Sequence, residues 1–80
     1  MICLYIISTN FGTYYTGITN SLIRRWKEHK EGKSSYLSKF SPKEVVYVCF
    51  YSERKEAARE ERRVKSIGAF KYMNRLKHRK

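Results

Sequence analysis

Residues 15 to 29 combine side chains that could act on a phosphodiester bond. Tyr15 and Gly17 belong to a β-rich run, and Arg25 follows that glycine by eight positions. His29 follows Arg25 by four, so the two would be neighbours on a helix surface. Arginine offers a planar fork of donors that matches a phosphate, and histidine can hydrogen-bond or move a proton. A structural interpretation stays open, in which Arg25 extends its charge to solvent and His29 is hydrogen-bonded in the core.

A carboxylate on the second helical segment could complete such a site. At 100° per residue, Glu61 falls inside the small apolar arc of this segment, whereas Glu56 and Glu60 point further away. A carboxylate beside an apolar stripe needs a cation or a metal ion as its partner. Two partners are considered: a salt bridge to Arg25, or a Mg²⁺ ion, which often takes one carboxylate together with water and substrate phosphate.

Tyr5 would lie beside Tyr15 if the first two apolar runs form a hairpin. A three-residue loop at positions 10–12, with glycine last, would place Tyr5 opposite Gly17. Because side chains alternate along a strand, the two tyrosines would share one sheet face, and Gly17 would leave that face open beside a phenol. A loop of two or four residues would place them on opposite faces. Alternatively, both tyrosines are simply half-buried β residues.

The elements that position these residues follow from the hydrophobic pattern. The order ββαβαα predicts a single domain over residues 1–80 with an α+β fold, in which a small three-stranded sheet is flanked by helices. Asn20 or Ser21 can cap the first helix, Gly32 can end it, and Gly68 can end the second. A polar, basic loop is expected over 33–42. The predicted strands are 2–8, 14–18 and 44–52, and the predicted helices are 21–31, 53–67 and a short one within 69–80.

The charge of the chain indicates a polyanionic partner. Eighteen Lys and Arg against seven acidic residues give a formal net charge of +11. Nucleic acid is the partner that such an excess favours, while a membrane surface is disfavoured because no segment is both basic and strongly apolar. All of the acids are Glu, which leaves too few carboxylates for a two-metal site and room for one divalent ion at most. A basic charge that only keeps the protein soluble is the plain alternative.

The cysteines and the hydropathy of the chain indicate its compartment. Cys3 and Cys49 lack CxxC or Cys/His spacing, so reduced thiols are expected rather than a zinc site. The sequence shows no signal peptide and no run of about 18 apolar residues. A cytoplasmic protein is therefore expected.

With these motifs in view, the sequence resembles a GIY-YIG nuclease domain over nearly its whole length, and most of all the short, stand-alone bacterial members. The segment LYI at 4–6 stands where the family has GIY and retains Tyr5, although Cys3 replaces the motif's glycine. The segment YTG at 15–17 matches YIG with Thr16 in place of isoleucine. Arg25 and His29 stand at the family's arginine and histidine, ERRVK at 61–65 matches the pattern E-x-x-[IV]-K, and Asn74 is the one late asparagine.

The resemblance implies an endonuclease that depends on Mg²⁺ or Mn²⁺ and cuts DNA by a one-metal mechanism. Tyr5 or Tyr15 would deprotonate or orient water, Arg25 would stabilise the transition state, and Glu61 would hold the ion. His29 joins this catalytic set. Contacts to the substrate are expected from four further residues: Gly17, Arg24, Lys33 and Lys65.

The expected role is DNA repair or processing. The substrate would be recognised by structure or with weak sequence preference, branched and single-stranded DNA included, and a protein partner could add specificity. An alternative is a nucleic-acid-binding module of the same fold with weak or no catalysis. A domain that binds only protein is disfavoured by the charge.

Overall fold

A computed structural model of the protein describes residues 1–31 and 41–77. The elements follow the predicted order ββαβαα, and the strands form one antiparallel sheet of order β2-β1-β3. The expected helix end at Gly32 and the candidate contact Lys33 lie outside the described residues. The strands are β1 (Ile2–Thr9), β2 (Tyr14–Thr19) and β3 (Pro42–Tyr51), and the helices are α1 (Leu22–Lys30), α2 (Arg54–Ile67) and α3 (Ala69–Lys77).

The central strand β1 is buried on both faces, as its uninterrupted apolar sequence predicts. Its odd-numbered residues pack with α1, and its even-numbered residues pack with α2 and α3. The sheet is therefore covered on both sides, and each face has its own hydrophobic cluster. The first cluster contains Cys3, Tyr5, Ile7, Leu22 and Trp26, and the second contains Leu4, Ile6, Val64, Tyr72 and Ile67.

The hairpin between β1 and β2 has the predicted register. Tyr5 lies opposite Gly17 and Ile7 lies opposite Tyr15. Gly12 takes φ +80°, a conformation that glycine adopts without steric penalty, and its N–H donates to the Thr9 carbonyl at 3.2 Å. The glycine at the end of the turn thus confirms the three-residue loop on which the placement of both tyrosines depends.

Strand β3 differs from the expectation of a strand over 44–52. It begins at Pro42, a residue tolerated there because the first position of a strand need not donate to the ladder. Its apolar residues Val46 and Phe50 are exposed, since β3 is an edge strand that the helices cover only in part. A register shift opposite Ile6 and Ile7 marks a bulge in this strand.

The helix ends follow the capping residues. Ser21 caps α1 by accepting the N–H of Arg24 at 3.4 Å, and α2 begins after Glu53, whose N–H donates to the Glu56 carboxylate at 3.3 Å. Gly68, at φ +99°, ends α2 and allows α3 to start at the next residue. Cys3 is buried, Cys49 is half-buried, and both are free thiols. Within the described residues, no helix is both long and apolar enough to cross a membrane.

Candidate active site

Three aromatic side chains meet between β1, β2 and α1. Tyr5 is 1% exposed and His29 2%, and the Tyr5 hydroxyl is hydrogen-bonded to His29 Nε2 at 3.1 Å. The Tyr15 ring lies 6.3 Å from the Tyr5 ring and 5.5 Å from the His29 ring, measured between centroids. The hairpin register and the helical spacing therefore bring both predicted phenols, Tyr5 and Tyr15, and the predicted imidazole of His29 into one cluster.

Gly17 makes this cluster possible. A Cβ atom at Gly17 would lie 2.6 Å from the Tyr5 hydroxyl oxygen, 2.8 Å from its Cζ and 3.2 Å from Cε2 of Tyr15. The sequence predicts that Gly17 leaves an open face beside a phenol, and the phenol of Tyr5 itself fills that space. Any side chain at position 17 would displace the ring that reaches His29.

The protonation of the buried pair follows from its surroundings. Burial raises the pKa of Tyr5, and the nearby Tyr15 raises it further, while Arg25 opposes the shift. Burial lowers the pKa of His29, and the positive charge of Arg25 lowers it further. Both rings are therefore uncharged at neutral pH.

Acid should destabilise the fold through His29. Its pKa is about 6.5 in an unfolded chain and lower in the folded one. The neutral ring thus contributes stability that is complete above pH 6.5 and declines as the pH falls toward the folded pKa. Melting temperatures of wild type and His29→Gln between pH 8 and 4.5 test this, and the wild type should lose more stability below pH 6.5 than the variant. Parallel curves would contradict it.

Arg25 lies half-buried next to this cluster. Its Nη1 lies 3.5 Å from Glu28 Oε1, whereas its buried Nε has no hydrogen-bond partner within the described part of the chain. The same holds for buried Nδ1 of His29. Buried polar groups without a partner are uncommon and indicate a site that a ligand could satisfy. Arg24, by contrast, is exposed and donates to Asn20 at 3.1 Å.

Glu61 lies on α2, the helix that packs on the sheet face opposite the Tyr5–His29 pair. Its side chain is 22% exposed and accepts Lys65 Nζ at 3.1 Å. Its negative charge contributes to the raised pKa of Tyr5, so the carboxylate lies within electrostatic reach of the phenol. The salt bridge to Arg25 considered from the sequence is not the observed one, because Glu61 pairs with Lys65 and Arg25 pairs with Glu28.

An open cleft of about 450 Å³ adjoins the second phenol and Lys65, the partner of this carboxylate. It crosses the edge of β2 and reaches the end of α2. Tyr15 and Lys65 lie on its wall, which connects the phenols with the Glu61–Lys65 pair. Six residues line it: Tyr14, Tyr15, Thr16, Lys65, Gly68 and Ala69.

Comparison with known proteins decides the family. The model of the GIY-YIG catalytic domain matches residues 1–73. The chain belongs to the GIY-YIG family. Among curated proteins, a UPF0213 protein of Oceanobacillus iheyensis is 37% identical over 84% of this chain and 79% of its own length. A UPF0213 protein of Photorhabdus laumondii is 34% identical over 80% of this chain and 62% of its own.

The fold of the GIY-YIG domain is also found in a solved relative. The solution NMR structure of a UPF0213 protein from Bacillus halodurans superposes with a TM-score of 0.60 and 30% identity, covering 99% of this chain and 86% of the other. The order of elements and the small, stand-alone type of these relatives thus agree with the expectation from sequence. GIY-YIG domains form a nuclease superfamily, whose members act on DNA and generally use a divalent metal ion.

The side chains of this region suit a hard cation whose ligands are mostly water molecules and substrate oxygens. Within residues 1–31 and 41–77, no three His, Cys, Asp or Glu side chains come together as a metal cluster. A closed protein site of the zinc type is therefore not formed there. A single carboxylate paired with a cleft-lining lysine fits Mg²⁺, which keeps several waters and takes further oxygens from substrate phosphate.

Sequence reasoning misplaced one acidic residue of this GIY-YIG domain. Glu60 was expected to point further from the apolar face than Glu61, yet it is 19% exposed, about as covered as Glu61. Its carboxylate accepts the Tyr72 hydroxyl at 2.7 Å and Arg63 Nη1 at 3.2 Å. The reason is that α3 packs against this flank of α2. A helical wheel drawn for α2 alone cannot indicate that contact.

Tyr14 and Asn74 differ in their relation to the site. Tyr14 lines the cleft, although the sequence pattern places it only in a β-rich run. Its position next to Tyr15 was the signal that could have marked it as a site residue. Asn74 lies on α3 in a groove with Tyr14 and Phe70, on the sheet face opposite the Tyr5–His29 pair. The structure therefore does not bring Asn74 into the phenol cluster.

Proposed function

We propose that the protein is a metal-dependent endonuclease that hydrolyses phosphodiester bonds in DNA. Its catalytic set would be Tyr5, Tyr15, Arg25, His29 and Glu61. The observation that carries the proposal is the buried hydrogen bond between Tyr5 and His29, packed against a phenol on the cleft wall and near a lone carboxylate.

The two phenols have different roles in this proposal. Tyr15 lines the cleft and can orient an attacking water, whereas Tyr5 lies behind it, in contact with His29. The attacking water would release its proton to the solvent of the open cleft as it attacks phosphorus, and the hydrogen-bonded Tyr5–His29 pair would hold the Tyr15 ring in position. Tyr5 stays neutral, as its raised pKa requires, and His29 stays neutral because burial and the charge of Arg25 lower its pKa.

The remaining residues bind the phosphate and its developing charge. Arg25, whose Nε has no partner among residues 1–31 and 41–77, would donate to the pentavalent phosphorane. Glu61 would hold the Mg²⁺ or Mn²⁺ ion, which supplies positive charge at the leaving oxygen. Lys65 would leave Glu61 and contact phosphate from the cleft wall. Gly17 would act indirectly, by leaving the space that the Tyr5 ring occupies, and Arg24 and Lys33 would add phosphate contacts.

These contacts imply little sequence selectivity. The proposed residues donate to phosphate oxygens, which are the same at every base pair. We therefore propose selection by DNA structure, in a repair or processing role.

The first test compares Arg25→Ala with wild type on branched, single-stranded and duplex DNA with Mg²⁺ or Mn²⁺. Removing a donor to the transition state should lower kcat by about 100-fold or more. Arg24→Ala removes the same charge from the neighbouring exposed position and should raise KM a few-fold with kcat retained. Metal-dependent cutting that survives Arg25→Ala unchanged would contradict the proposal.

A second candidate is a DNA-binding module of the same fold with weak or no catalysis. The 3.1 Å ion pair between Lys65 and Glu61 favours it, because a carboxylate held by an ammonium is less available to a metal ion. Binding to every substrate with strong salt dependence, and cutting of none with either metal, would support this candidate.

A further inference from the structure

Two aromatic rings that belong to neither hydrophobic cluster are exposed side by side. Tyr14 on β2 is 37% exposed and Phe70 on α3 is 59% exposed. Their centroids are 6.4 Å apart and their planes differ by 30°. Side chains of this size that stay accessible and adjacent form a continuous aromatic surface, which indicates a binding site when it is bordered by polar groups.

The border of this surface has the chemistry of a nucleotide site. A groove of about 230 Å³ runs along the pair and includes the amide of Asn74. On the other side of Tyr14, the cleft carries the ammonium of Lys65, and a third groove beside Tyr14 includes Lys43. These groups match the parts of a nucleotide: an aromatic ring can stack on the base, an amide can hydrogen-bond to the edge of the base, and ammonium groups can bind the phosphate. The net charge of +11 favours the same occupant.

This surface is continuous with the proposed active site. Tyr14 and Tyr15 are consecutive on β2, so their side chains lie on opposite faces of the sheet, yet both line the cleft that crosses the strand edge. A DNA strand that places a phosphate near Tyr15 would therefore carry a neighbouring base toward Tyr14. A base within a duplex is already stacked on both sides, so only an unpaired base can present its face.

We infer that Tyr14 and Phe70 form a base-stacking site for an unpaired nucleotide next to the bond that is cut. This inference rests on the proposed nuclease function and names the substrate feature that the site would select. It assigns a role to two aromatic residues that the catalytic mechanism does not use.

The test measures binding without cleavage. In a Glu61→Gln background without metal, Phe70→Leu and Tyr14→Leu keep an apolar side chain but remove the ring. The probe is a DNA oligonucleotide containing 2-aminopurine, used as a single strand and as a duplex. Phe50→Leu is the matched control, because Phe50 is exposed on β3, the edge strand on the far side of the sheet from β2.

Each ring removal should weaken single-strand binding about 5- to 100-fold, the range typical of one stacked base, and reduce the quenching of 2-aminopurine. Duplex binding and the Phe50→Leu variant should change less than about twofold. Equal losses on both DNA forms, or no loss, would overturn the inference. So would a dimer, seen in sedimentation, that Phe70→Leu dissociates while DNA binding is unchanged.

The outcome is independent of whether the protein cuts DNA. If the wild type cuts nothing with either metal, the nuclease proposal fails, and the binding data still decide whether the rings stack a base. If the wild type cuts DNA but loss of the rings leaves single-strand binding unchanged, the stacking site alone is overturned.

Discussion

Glu61→Gln should abolish DNA cleavage and leave DNA binding intact. The amide keeps the size of the carboxylate but removes the charge that would hold a divalent ion. A metal ion contributes several kcal/mol of transition-state stabilisation, and each 1.36 kcal/mol corresponds to a factor of ten, so we expect a loss of about 1,000-fold or more. The fold should persist, because the ion pair that Glu61 makes among the described residues is with the exposed Lys65, and such i,i+4 pairs contribute little. Single-turnover cleavage, anisotropy binding and thermal melting measure the three quantities.

Glu60→Gln is the matched control for this change. It removes the same charge from the adjacent position, at nearly the same exposure, but from a carboxylate that contacts Tyr72 and Arg63. This variant should cut DNA at close to the wild-type rate and lose about 1 kcal/mol of stability through the weakened hydrogen bond. If both variants lose cleavage equally, total charge is responsible. If Glu61→Gln unfolds, Glu61 is structural.

Gly17→Ala should damage both folding and cleavage. The added methyl would lie 2.6 Å from the oxygen of Tyr5, whose ring is 1% exposed and packed in the first hydrophobic cluster. Overpacking of this kind costs about 1–3 kcal/mol. A shift of the phenol by about 1 Å would also separate it from His29, and such misplacement can lower the rate about 100-fold. Denaturant unfolding and the rate with saturating DNA report the two effects.

A double-mutant cycle with Tyr5→Phe identifies the cause. Tyr5→Phe removes the oxygen that the new methyl would contact most closely, so the loss of stability from Gly17→Ala should be smaller in that background. An unchanged loss would show that strand β2 itself, and not contact with the phenol, is disturbed.

Sequence reasoning was most accurate where local chemistry determines geometry. A glycine at the end of the turn selects a three-residue loop, and strict alternation then assigns each side chain to a face, so the register of Tyr5 against Gly17 was predictable. The pairing of Glu61 with Lys65 also had a visible signal, since a spacing of four favours a Glu–Lys pair on a helix.

Features that depend on packing between distant elements were not accessible in this way. The burial of Glu60 depends on Tyr72 of α3 coming within hydrogen-bond distance, and the pattern of α2 contains no information about that approach. The exposure of Val46 and Phe50 depends on which strand takes the edge of the sheet, a property of the topology and not of β3.

Tyr5 belongs to the hydrophobic cluster under α1 and to the proposed active site at once. In a chain of 80 residues, the ring that would hold the Tyr15 phenol in position is therefore also one of the larger side chains that hold the sheet to its helix. Substitutions there cannot separate activity from folding. A lineage that abandoned catalysis could lose Glu61 or Arg25 readily, but it would keep this tyrosine for the sake of the fold, so Tyr5 alone is a poor marker of a working enzyme.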